Sequence, residues 1–141
     1  MQLVWRPLAP RELDRELLWL GVTIAGLLCA TLWFALGLPW PVCWFQELTG
    51  HPCATCGATR AAVAFFHGNF FTAWQWNPMA FLIYCAIAIF DAYAVGVLIL
   101  RGRRLRPLLN AREKQLFRVS AATILLLNWA YLLSHPGMFA Q

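Results

Sequence analysis

The stretch CWFQELTGHPCATCGATRAAVAFFHGNFFTAWQWNP, from Cys43 to Pro78, decides how the rest of the chain is read. It holds three of the five cysteines, two of the three histidines (His51 and His67) and the lone arginine Arg60. Long apolar runs flank it. Leu17 to Gly37 lies before it and Pro78 to Leu100 after it, and Leu116 to Leu133 follows a basic segment. About 20 apolar residues cross a bilayer core as a helix, so each run is a candidate span. A signal peptide would have an apolar core of only about 7–15 residues, so the first run is expected to be a retained transmembrane helix.

Composition agrees. The chain is 61% hydrophobic and 12% charged, whereas soluble domains carry about 25% charged residues. The net charge of +5 raises the question of a nucleic-acid partner. Its distribution answers against one. Arg101, Arg103, Arg104, Arg106, Arg112, Lys114 and Arg118 cluster between two apolar runs, which is the pattern of a cytoplasmic loop. The expected fold is therefore an all-α membrane protein, a single integral membrane domain over residues 1–141. It has three transmembrane helices (about 17–37, 78–100 and 116–133) plus a re-entrant or interfacial half-helix carrying the CxxC motif. The basic loop, 101–115, lies inside, the motif segment, 38–77, lies outside, and the N-terminus is cytoplasmic with the C-terminus extracytoplasmic. The setting this topology implies is the cytoplasmic membrane.

Local signals place the breaks. Pro10 could open a short surface helix in the mixed-charge lead-in. Leu38-Pro39-Trp40-Pro41 cannot continue a helix and is read as ending the first span. Gly57 to His67 is helix-compatible but too short to span, and Gly68-Asn69 offers a cap. Phe70 to Trp76 is aromatic-rich and suits the interface. Asn77 is a good N-cap, and Pro78 suits the first helical position. Pro136-Gly137 breaks the tail.

Cys53-Ala54-Thr55-Cys56 has the spacing of a redox pair or half a metal site. Three readings stay open: a structural disulfide or packed thiol pair, thiol–disulfide exchange, and a metal site. A helix N-terminus beside Cys56 would favour thiolate. For a metal, Cys43, His51 and His67 are the possible added ligands, and Cys43, His51, Cys53 and Cys56 would make a tetrahedral set. Covalent haem attachment needs His after the second cysteine; Gly57 stands there. Thr59-Arg60 puts a charge at the edge of a buried half-helix, so Arg60 should find Glu47, loop carbonyls or a lipid phosphate. Asp91 and Asn128 come out about 14 and 18 Å from the inner ends of their helices, counting the helical rise. They could pair across helices, with a contribution of about 0.6–2 kcal/mol.

The combined pattern Cys43, Leu48-Thr49-Gly50, Pro52-Cys53-Ala54-Thr55-Cys56-Gly57-Ala58-Thr59-Arg60, Gly68 and Asn77-Pro78 resembles the domain of unknown function 2752 family of small bacterial membrane proteins. That family often has Pro-Gly between the cysteines, where this chain has Ala54-Thr55. The resemblance implies a small multi-span membrane protein and brings no reaction and no cofactor with it. On size and composition the first expectation is a non-catalytic accessory subunit or assembly factor in the lipid bilayer, packed against other membrane subunits. The alternatives are a membrane thiol–disulfide oxidoreductase using Cys53 and Cys56, and a Cys/His metal-binding module.

Overall fold

The computed structural model describes residues 2–6, 14–39, 43–100, 104–108 and 110–135. Three long helices dominate: α1 (Arg15–Ala35), α5 (Pro78–Ile99) and α6 (Ala111–Ser134), with three short ones between the first two: α2 (Trp44–Thr49), α3 (Ala58–Phe66) and α4 (Phe70–Trp76). The long helices have mean hydropathies of 2.0, 2.2 and 1.6, and nearly all of their apolar surface is exposed within the protein. Apolar side chains that face outward over such lengths belong against lipid. The three-span reading therefore holds.

The boundaries move for local reasons. Helix α1 starts early because the Asp14 carboxylate accepts the Leu17 N–H at 3.2 Å, the N-cap arrangement. It stops at Ala35 because Gly37 turns left-handed at φ 63. The Gly37 N–H then reaches the Phe34 carbonyl and the Leu38 N–H reaches that of Trp33, which closes a Schellman motif. The glycine, and not the Pro39–Pro41 stretch, ends this helix. Helix α6 begins at Ala111, ahead of the expected Leu116, so Arg112, Lys114 and Arg118 ride on its first turns. Helix α2 was not foreseen; its six residues are too few for a periodic signal. The expected Pro10 helix, Trp40, Pro41 and the Pro136-Gly137 break lie outside the described residues.

The chain divides into two units, Met1–Trp40 with Ile87–Asn110, and Pro41–Ala86 with Ala111–Gln141. In the first, a short ribbon adds to the helical fold: β1 (Gln2–Arg6) pairs antiparallel with β2 (Arg104–Leu108), Val4 opposite Arg106. Pro107 is tolerated there because each strand is an edge. Two spans separate these strands, so both lie on one side of the membrane. In the same unit the Thr23 hydroxyl shares its proton between the Trp19 carbonyl at 3.1 Å and the Asp91 carboxylate at 3.4 Å.

In the second unit, α3 and α4 fold against the start of α5. Phe65 is the hub, with ring centroids 5.4–6.0 Å from Phe66, Phe70, Phe81 and Tyr84. Gly68, at φ 76, caps α3 as the sequence predicts, its N–H reaching the Phe65 carbonyl. Asn77 caps α5, accepting the Ala80 N–H at 3.0 Å, with Pro78 in first position.

Candidate functional site

Cys53 and Cys56 sit in the turn that feeds α3. Gly57, left-handed at φ 78, is the N-cap of that helix. The turn is closed by the Cys56 N–H on the Cys53 carbonyl at 3.0 Å and by the Cys53 N–H on the Cys56 sulfur at 3.1 Å. Cys43 caps the start of α2. Helix α2 ends at Gly50, left-handed at φ 70, and that reversal brings the chain back to Cys53. Thr49 anchors it, its hydroxyl donating to the Phe45 carbonyl at 2.6 Å.

The result is a triangle of sulfurs. Cys43 Sγ and Cys53 Sγ are 3.3 Å apart, Cys53 Sγ and Cys56 Sγ also 3.3 Å, and all three lie within 4.8 Å of one another. All five cysteines are free thiols. Cys53 and Cys56 are free thiols in hydrogen-bond contact. Cys56 is buried and packs on Leu132, with Trp76, Tyr131, Cys43 and Cys53 around it. The Thr55 hydroxyl is 3.3 Å from Cys53 Sγ, and the Gln46 side-chain oxygen is 3.7 Å from Cys56 Sγ.

The thiols are not equivalent. Burial pushes the Cys53 thiol up, but hydrogen bonds from Thr55, Cys56 and Cys43 outweigh it and bring it down to about 7. Burial, and then the hydrogen bond with Cys53, push Cys56 up to about 12.

Irregular backbone beside membrane helices needs its polar groups claimed. Here side chains of α5, α6 and the α4–α5 junction do so. The carbonyl of Ala54, between the two motif cysteines, accepts from Asn128 Nδ2 at 3.0 Å and Asn77 Nδ2 at 3.3 Å. Asn77 Nδ2 also reaches the Cys56 carbonyl at 3.0 Å. Trp129 Nε1 donates to the Pro52 carbonyl at 3.1 Å, and the Tyr84 hydroxyl to that of Ala58 at 3.0 Å. Asn128 Oδ1 accepts the Met79 N–H at 3.0 Å, an amide in the first turn of α5 that has no helical partner. Both asparagines are buried.

Several expectations are redistributed. Cys43, Cys53 and Cys56 come together. His51 does not join them: it is exposed, and its Nδ1 contacts the Thr49 carbonyl at 2.7 Å. His67 is exposed too, with Nδ1 against the Val63 carbonyl at 2.7 Å. Asn128 serves Ala54 and Met79, and Asp91 serves Thr23. Thr59 is exposed. The Arg60 guanidinium lies over the Trp76 ring, 4.7 Å from its centre, a cation–π contact. Trp129, Tyr84 and Gln46 were missed, because a single aromatic or amide in a long apolar run carries no signal until its partner is known.

These features define a helical membrane protein with a three-thiol site held by its spanning helices. Residues 43–90 match the model of a family described as protein of unknown function (DUF2752), so the resemblance drawn from the motif is shown over the segment that builds the site. No curated protein and no solved structure matches the chain.

Proposed function

We propose that this protein is a membrane metal-binding module whose ligands are Cys43, Cys53 and Cys56. The observation that carries the reading is the compact triangle of sulfurs. A metal sits about 2.3 Å from each thiolate, which spreads tetrahedral sulfurs to about 3.8 Å. The triangle reaches that by opening its 3.3 Å contacts about half an ångström. Disulfide relay asks for a different shape, since attack of one thiolate on a disulfide runs along a nearly straight line of three sulfurs. The distances here hold the angle at Cys53 to no more than roughly a right angle. The accessory-subunit expectation has no residue-level feature behind it, so the thiol site ranks ahead.

A second reading, thiol–disulfide exchange, draws on the unequal exposure of the pair: Cys53 is partly open and Cys56 is 7% exposed. That is the layout of an attacking and a resolving thiol. One experiment separates the two. Purified protein, reduced and in mild detergent, is titrated with Cd(II). The metal reading expects one ion per chain with a thiolate charge-transfer band, and loss of the band in Cys43→Ser as well as in Cys53→Ser. Binding indifferent to Cys43 overturns it. A Cys53 mixed disulfide with a protein substrate, trapped in a Cys56→Ser strain, would favour exchange.

A further inference from the structure

We infer that the ion this site selects is a soft monovalent one, Cu(I), held by three sulfurs alone; the inference rests on the metal reading above. The donor count comes first. Among the described residues, the cluster of possible ligands contains Cys43, Cys53 and Cys56 and no histidine or carboxylate. Zn(II) in a structural site takes four protein ligands. To reach four here it would have to recruit a histidine, a carboxylate or solvent.

The donor type points the same way. Thiolates select soft ions such as Cu(I), while neutral oxygens suit harder ones. Among the described residues, the other side-chain atoms in hydrogen-bond contact with the sulfurs are the Thr55 hydroxyl and the Gln46 amide oxygen. The remaining neighbours are apolar or aromatic: Leu132, fully buried, with Trp76 and Tyr131.

Rigidity closes the case against recruitment. Asn77 and Asn128 fix the Ala54 carbonyl, and Trp129 fixes that of Pro52. His51, the nearest histidine in sequence, is turned to the Thr49 carbonyl just outside this clamped turn. Bringing it to the sulfurs would mean remaking the turn that follows Gly50. On binding, each thiol that becomes a ligand gives its proton to solvent, and no electron is transferred because copper enters already reduced.

The test uses the full-length protein in mild detergent, reduced and kept anaerobic. It is loaded in parallel with Cu(I) from a buffered cuprous complex and with Zn(II), and each form is examined by X-ray absorption and by chelator challenge. The expected result is one Cu(I) with a three-sulfur shell that survives excess cuprous chelator. Zn(II) is lost to excess EDTA, and His51→Ala changes neither ion's binding. A Zn(II) form with three sulfurs and a protein nitrogen, resistant to EDTA and released by His51→Ala, overturns the Cu(I) inference while leaving the metal module standing. If neither ion is retained by protein whose three thiols are shown to be free, the metal reading itself falls.

Discussion

At the scale of single residues, the Ala54 carbonyl explains most about the site. Its two donors come from Asn77 and Asn128, far apart in sequence. Asn128→Leu removes one donor from Ala54 and strands the partly buried Met79 N–H. The expected cost is about 1–3 kcal/mol, read as a lower unfolding midpoint in detergent. Trp129→Phe keeps the ring but drops the donor to Pro52, so a loss of about 1 kcal/mol is expected in the same measurement. Thiol chemistry in the metal-free protein should follow the inequality of the pair. Alkylation proceeds through the thiolate. Cys53, brought down to about 7, should react with a rate that climbs through neutral pH. Cys56, pushed up to about 12, should stay slow until far more alkaline conditions. Mass spectrometry of the alkylated peptide at stepped pH checks the order, and Cys56 reacting first at pH 7 would refute it. The sequence made Cys43, Cys53 and Cys56 visible as candidates. It hid their holders, because a buried asparagine in an apolar run looks the same whether its partner is another helix or a loop carbonyl.

At the scale of elements, the short helices are set by where glycines reverse the chain. Gly57, at φ 78, lets the cysteine turn feed α3. An L-residue pays about 1–2 kcal/mol in that region, so Gly57→Ala should cost that much stability, read as a lower unfolding midpoint. Gly21, inside α1 with open space around the place a methyl group would take, is the contrast: Gly21→Ala should be neutral or gain up to about 1 kcal/mol. Equal losses at both positions would show that helix packing, rather than the turn, is what the first substitution disturbs. The long helices were legible from hydropathy, Asn77-Pro78 marked the start of α5, and Gly68 marked the end of the short α3. Helix α2 was not legible, and the end of α1 was misplaced, since prolines drew the reading away from the quieter stop at Gly37.

At the scale of the whole molecule, topology is the open variable that charge decides. The β1–β2 ribbon requires the N-terminal segment and the basic loop to share a side, and seven basic residues in and just after that loop would direct it inward. A membrane-impermeant maleimide added to intact cells should therefore block Cys53, while a fluorescent protein fused to the N-terminus should fold and glow in the cytoplasm. Labelling that requires broken cells would invert the orientation. Three spans and their order were readable because apolar length is a local property. The ribbon was not, because a pairing between residues 2–6 and 104–108 is written in no local pattern.

The clamp on Ala54 also fixes an order of events in biosynthesis. The ribosome makes Cys43, Cys53 and Cys56 well before it makes Asn128 and Trp129, and chains begin to fold from the N-terminal end as they emerge. Until α6 has entered the bilayer, the three thiols exist without the amide and indole that hold their turn. Closing the site thus waits on α6, and under the metal reading the three thiols would be open to loading in the interval before that helix arrives.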